Sequence, residues 1–494
     1  MAQAVRGTAD LSKIEAPINK KAYLICVSAA FGGIFFGYDI GWMSGVLGMP
    51  YFIQQYTGMA YDWKTGTPID ATDFVIPSSQ KSLITCILSL GTFLGALIAG
   101  DLADAIGRRL TIIIGCAIFT VGVVLQIAST NQLALICMGR LVAGFGVGFE
   151  SAVVIMYMSE VSPRKIRGAV VSAYQFCVIP IGIQFAWALI LASILIYLPE
   201  SPRYFVKKGQ IEKALKSLCF IRGQTEDSEY VQDELAEIVA NLEYESQVIP
   251  YTGYVNSWLV CFKGPITKAS SNVRRIIVGA GIQAMQQLTG MNFIFYFGTT
   301  FFQQLGTIQN PFLISLITTL VNVCATPLSF WTIEKFGRRP LLIYGGIAMF
   351  LMQFIIGAIG TAEPDNPAAV KAMIAVICFQ IFCFATTWGP TAWVVVGEVF
   401  ALPIRSRGIA ISTASCWFWN CVLAVIAPYM TGTVFAYFLV PEMKGHSLEQ
   451  VDQMLEDVGP RKSAGWAPQS TFAAEMGHVS KPGSTHIETA ERIA

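Results

Sequence analysis

Asp104-Ala105-Ile106-Gly107-Arg108-Arg109 returns 230 residues later as Glu334-Lys335-Phe336-Gly337-Arg338-Arg339. Apolar runs flank the first copy, Ser82–Gly100 before it and Leu110–Ala128 after it. A second marker repeats as well: Ser159-Glu160, followed by Arg164, Arg167 and Gly168, is echoed by Gly397-Glu398, Arg405, Arg407 and Gly408. Paired arginines at the end of an apolar run mark the cytoplasmic end of a membrane span. Two halves with matching loops predict a duplicated bundle of helices.

The composition agrees. Of 494 residues, 54% are hydrophobic and 13% charged, with a mean hydropathy of +0.56. A soluble domain carries about 25% charged residues, so the expected fold class is all-α, a polytopic membrane protein. A duplicated membrane bundle is the plan of secondary transporters, with a site at the midplane between the halves. A net charge of +1 gives no hint of a nucleic-acid partner. The twelve cysteines stand mostly in apolar runs, without metal-ligand spacing or a disulfide framework. All three histidines (His446, His478, His486) lie near the C-terminus, outside the apolar runs. Neither a metal, a cofactor nor an enzymatic nucleophile–base pair is expected.

The candidate site is Gln286-Gln287-Leu288-Thr289-Gly290-Met291-Asn292, inside the uncharged run Ile276–Phe302. Three amides facing lipid would be costly, so they face a polar cavity or other helices. An amide offers a donor and an acceptor together, which suits a neutral ligand rich in hydroxyls. Interhelical hydrogen-bond glue is the other reading. The first apolar run, Ala22–Leu47, holds one acid, Asp39, and the run Leu133–Met158 holds Arg140 and Glu150. Arg140 is the natural partner of Asp39, because an unpaired charge at that depth is expensive.

The expected organisation is a cytoplasmic tail (1–21), an N-terminal bundle (22–199), a cytoplasmic helical linker (200–275), a C-terminal bundle (276–440) and a disordered cytoplasmic tail (441–494). The linker carries ten basic residues.

The sequence resembles the sugar porter family of the major facilitator superfamily, most of all fungal high-affinity monosaccharide (glucose-type) transporters. The resemblance rests on Asp104–Arg109, Pro199-Glu-Ser-Pro-Arg203, Gln286–Asn292, Gly337-Arg-Arg339 and Pro441-Glu-Met-Lys-Gly445, in that order. It implies two six-helix bundles rocking around a hexose site, in a monomeric, multi-pass protein of the plasma membrane. Its partners would be a monosaccharide, protons and the lipid bilayer. Sugar-contacting positions carried over from the family are Gln175, Gln286, Gln287, Asn292, Asn322, Trp393 and Asn420. Tyr296 matches a gate aromatic and Trp417 a cavity-lining one. Asp39 and Arg140 match the acid and base that couple protons to transport. Asp104, Arg108 and Arg109, Glu160 and Arg167, Glu334, Arg338 and Arg339, and Glu398 and Arg407 would be interdomain ion-pair latches. Cys416, Met443 and Glu150 depart from the family pattern. Uniport, a sugar sensor with a short tail and a defective family member stand as alternatives to symport.

Two spans are short. Between Arg167 and Glu200 lie 32 uncharged residues, where the family places its fifth and sixth spans. Two crossings need about 40 residues plus a turn. After the eleventh span only Val434–Val440 remains before Glu442. Ten spans at most are therefore expected, with the fifth and twelfth truncated. Exon sequence removed as intron is the favoured cause, with a truncated protein or short re-entrant hairpins as the alternatives.

Overall fold

The computed structural model describes residues 25, 46, 47, 49–59, 61, 62, 67, 68, 76, 78–129, 131–163, 167–172, 184–248, 254–268, 270–292, 294–296, 298, 311–362 and 366–423. Asp39, Gln175, both predicted tails and most of the two spans expected to be short lie outside them. Except for a two-residue antiparallel pairing, Tyr61–Asp62 with Thr67–Pro68, the regular structure described is helical. Among the described residues, six helical stretches are long and apolar enough to cross a membrane. Large apolar residues such as Leu94, Ile98, Leu316, Leu320, Phe350 and Phe354 stand exposed on them. Such an apolar exterior fits lipid as the solvent.

The first half contains α1 (Pro50–Thr57), α2 (Ser78–Ile106), α3 (Arg108–Ile127), α4 (Leu133–Val161), α5 (Arg167–Ser172) and α6 (Gln184–Tyr197). α4 is its axis and packs on both α2 and α3. Glycine makes that approach possible: a Cβ on Gly144 would lie 2.2 Å from the carbonyl oxygen of Leu88 on α2. On the other face, a Cβ on Gly122 of α3 would lie 2.2 Å from the backbone nitrogen of Ala143. Small residues of this kind let membrane helices touch backbone to backbone.

Four shorter helices follow: α7 (Pro202–Lys207), α8 (Ile211–Arg222), α9 (Glu229–Val248) and α10 (Tyr254–Cys261). Val206, Ala214, Leu218, Val231, Leu235 and Ile238 give α7 to α9 an apolar core of their own. The second half contains α11 (Asn272–Gln287), α12 (Pro311–Phe336), α13 (Arg338–Ala362), α14 (Pro367–Thr386), α15 (Trp388–Glu398) and α16 (Arg405–Leu423). α16 packs on α11 of its own half and on α2 of the other half.

The repeat read from the sequence is a repeat in space. Gly107 ends α2 at φ +100° and Gly337 ends α12 at φ +86°, a conformation in which a side chain would be strained. Each glycine N–H reaches back four residues, to Ala103 and to Ile333. The next residue, Arg108 or Arg338, opens the following helix.

The 32-residue stretch after Arg167 starts and finishes at one end of the molecule. Ala169 N–H donates to Glu334 at 3.1 Å, and Glu200 accepts from Arg109 N–H at 2.9 Å, both at the arginine-rich turns. α6 has 14 residues, about 21 Å at 1.5 Å each, against a hydrocarbon core of about 30 Å. A single crossing would have left α7–α10 at the opposite end. They sit instead against the arginine-rich end, through Lys207–Asp104 at 2.8 Å and Trp258–Asp101 at 3.0 Å.

Candidate functional site

Gln286 and Gln287 close the last turn of α11, and Asn292 and Tyr296 follow the Thr289-Gly290 break. Gln287 is the hub. Its Oε1 accepts from Asn292 Nδ2, and from Asn420 Nδ2 on α16 at 3.1 Å. Its Nε2 donates to Cys416 Sγ at 2.9 Å. Asn420 Oδ1 in turn accepts from Tyr296 OH at 3.1 Å and from Ser89 Oγ, on α2, at 2.8 Å. The Ser89 bond carries the network from one half of the molecule into the other.

Gln286 has a different task. Its Nε2 donates to the carbonyls of Gly389 at 2.6 Å and Trp388 at 3.2 Å, at the start of α15. Trp388 is itself pinned through Nε1 to Leu342 O at 2.8 Å. Gln286 thus ties α11 to the break between α14 and α15, as the glue reading predicts. The break is at Thr387, whose backbone leaves helical values (φ −129°, ψ −89°).

Asn322 on α12 is buried, and its Oδ1 has no hydrogen-bond partner among the described residues. Trp393 on α15 and Trp417 on α16 are buried in the core. The sequence reading missed Gln283. It lies one turn before Gln287, is wholly buried, and neither its Nε2 nor its Oε1 has a described partner. Its signal was available: i and i+4 amides on one apolar helix share a face.

Arg140 is buried on α4 and donates through Nε to Ile84 O at 2.7 Å on α2. Asp39, its expected partner, lies outside the described residues, as does Gln175. Glu150 does not find Arg140, ten residues and about 15 Å along the same helix. Its Oε1 accepts from Cys116 Sγ on α3 at 3.3 Å, while Oε2 has no partner among the described residues.

At the arginine-rich end the pairs differ from those expected. Arg108 grips Glu160 with two hydrogen bonds (3.1 and 3.2 Å) and also meets Asp104 at 3.3 Å. Arg338 grips Glu398 in the same way (2.9 and 3.2 Å), with Glu334 at 3.7 Å. Both forks lie within one half, because each arginine opens a helix beside the last turn of its neighbour. Glu160 therefore pairs with Arg108 and not Arg167, and Glu398 with Arg338 and not Arg407. Arg109 donates to Leu198 O at 3.3 Å, and Arg339 is half-buried at the start of α13.

Contacts between halves use other groups. Arg407 pairs with Asp101 at 2.9 Å, and Ser406 Oγ donates to Asp104. Arg405 adds its charge to Glu160 across the junction, and Arg167 adds its own to Glu398. The expected latch set did not include Asp101 or Arg405. The linker completes this end: burial pushes the Glu200 carboxyl up, against backbone donors from Ser201 and Arg109. Burial pulls the Lys207 ammonium down, against the charge of Asp104.

The model of the sugar (and other) transporter family matches residues 25–180 and 178–455. The major facilitator-type transporter ecdD of Aspergillus rugulosus is 38% identical, over 95% of this chain and 94% of its own length. The high-affinity hexose transporter HXT6 of Saccharomyces cerevisiae is 33% identical, over 93% and 87%. The high glucose sensor RGT2 of the same yeast is 36% identical, and 61% of its length is matched. Among solved structures, the proton:xylose symporter XylE bound to 6-bromo-6-deoxy-D-glucose has a TM-score of 0.69 at 22% identity, covering 88% of this chain and 99% of its own. The fold and the site define a transporter built from two helical bundles. The chain belongs to the sugar transporter family of the major facilitator superfamily. It is a multi-pass membrane protein and not an enzyme.

Proposed function

We propose that this chain carries a monosaccharide, a hexose of the glucose type, across the plasma membrane by alternating access and in symport with protons. The observation that carries this reading is the amide network of Gln287, Asn292 and Asn420, bonded through Ser89 to the opposite half. Donors and acceptors in equal measure, at the junction of two repeats, suit a polyhydroxylated neutral ligand. Gln175, Asn322 and Trp393 complete the substrate-contacting set in this reading, with Gln286 anchoring it through the carbonyls of Trp388 and Gly389, Tyr296 as gate and Trp417 as cavity wall. The hexose named for HXT6 and the proton and sugar named for XylE support the substrate class and the coupling ion. Residues 22–199 and 276–440 act as the two rocking bundles, joined by the cytoplasmic linker 200–275 and flanked by tails 1–21 and 441–494, in a monomer. The contacts Asp101–Arg407, Asp104–Ser406 and Glu334–Ala169 hold the cytoplasmic ends together.

Proton coupling falls to Asp39 with Arg140. The Arg140 anchor, Ile84 O, is five residues and about 7.5 Å along α2 from Ser89. Protonation of the acid can therefore reach the sugar network through one helix. Asp39→Asn should abolish uphill accumulation and leave sugar exchange partly intact. Accumulation against a gradient by that variant would remove Asp39 from this role.

A second reading, an internally shortened member that transports poorly, also has specific support. In the alignment with ecdD, 95% of the 494 residues fill about 470 of 528 positions, leaving roughly sixty opposite gaps. The two family-model matches meet at residues 178–180, inside the 32-residue excursion.

A further inference from the structure

Two thiols meet across the junction of the halves. Cys86 belongs to α2 and Cys421 to α16, and both are free and partly exposed. Cys86 Sγ donates to the backbone oxygen of Cys421 at 3.6 Å, which brings the two cysteines side by side across the junction. The helices beneath them are in continuous contact. Ser89 bonds Asn420 at 2.8 Å, the rings of Phe93 and Phe418 lie 6.3 Å apart, and Gly100 abuts Ala410. Cys86 lies about one turn before Ser89 and Cys421 directly follows Asn420, so the pair borders the amide network on the seam along which two rocking bundles would slide.

We propose that Cys86 and Cys421 are an oxidative modification site, at which a peroxide converts the pair into a disulfide that fastens α2 to α16. One thiolate attacks a peroxide oxygen, giving a sulfenic acid as the O–O bond breaks and one water leaves after protonation. The second thiol then attacks that sulfur, the S–O bond breaks, and a second water leaves. Two sulfurs give up two electrons in total, and the peroxide takes both. Hydrogen peroxide is small and uncharged, so it can reach a half-exposed thiol at a membrane-embedded seam. A covalent link across this seam stops any motion that separates the two helices there. The loss of transport on oxidation rests on the transport reading above; the disulfide itself does not.

The test uses the full chain in membranes, treated with hydrogen peroxide, with Cys86→Ser and Cys421→Ser as controls. Peptide mass spectrometry should find Cys86 joined to Cys421 in the oxidised wild type, and dithiothreitol should reverse it. The oxidised wild type should melt several degrees higher than the reduced protein, and neither variant should show that rise. Sugar uptake, measured before oxidation, should fall at least several-fold on treatment and recover with dithiothreitol, while both serine variants keep their rate. The absence of uptake before treatment contradicts the transport reading and leaves the mass and melting results to decide the disulfide. No Cys86–Cys421 peptide, or a peptide with unchanged melting, overturns the proposal.

Discussion

The two adjacent glutamines do different work. Gln286 spends its donors on the carbonyls of Trp388 and Gly389, so it holds α11 against α15. Gln287 spends its oxygen on Asn292 and Asn420, side chains that a sugar hydroxyl can replace. Gln287→Ala should therefore weaken apparent sugar affinity at normal surface expression. Leaving buried groups unsatisfied costs about 1–3 kcal/mol, roughly 5- to 150-fold. Gln286→Ala should reduce expression first. Transport kinetics beside surface labelling distinguish the two, and a Gln287 variant with unchanged affinity and collapsed expression would make it structural too. The amide set was legible in the sequence because polar residues stand out in an uncharged run. Its internal division of labour was not, since it depends on which carbonyls the break at Thr387 brings within reach. Glu150 was also conspicuous, but its donor, the Cys116 thiol, comes from a neighbouring helix and has no signature in sequence.

At the scale of elements, the sequence located the turns with accuracy, for a reason visible at Gly107 and Gly337. Only glycine takes their positive φ without strain, and the arginine that follows must reach a carboxylate on the neighbouring helix. The two short spans remain an expectation from arithmetic: two crossings of about 30 Å need about 40 residues plus a turn, and 32 lie between Arg167 and Glu200. Transcripts sequenced across codons 170–190 and 425–440 should contain about 25 additional codons at each place. Reads joining Val178 directly to Ile179, together with normal uptake by that product, would contradict this expectation. The pairing of the charged turns was less legible. The family resemblance implied a latch of Glu398 with Arg407, yet Arg407 faces Asp101 in the other half. Sequence spacing records which helix end carries a charge, but the crossing of α2 and α16 decides what lies opposite.

At the scale of the whole molecule, the duplicated plan, the membrane setting and the seam between halves follow from one another. In the transport reading proposed above, the polar network and the ion pairs at the arginine-rich end are two separate sets of contacts between the halves, and breaking either set would open one side. Asp101→Arg should weaken closure at the arginine-rich end and lower uptake several-fold, through repulsion with Arg407. Adding Arg407→Asp should restore much of the loss, because the swap rebuilds the pair. A double variant no better than the single one would show that this contact is not a latch. The central claim is that the assembled molecule moves a hexose with protons. Its most direct test is uptake of labelled glucose, with xylose as a second sugar, by the surface-expressed chain in a host lacking hexose transporters, with and without an uncoupler. The account predicts saturable glucose uptake that accumulates against a gradient and loses that accumulation when the uncoupler is added. A chain present at the surface that shows no saturable uptake of either sugar, or accumulation indifferent to the uncoupler, would contradict it.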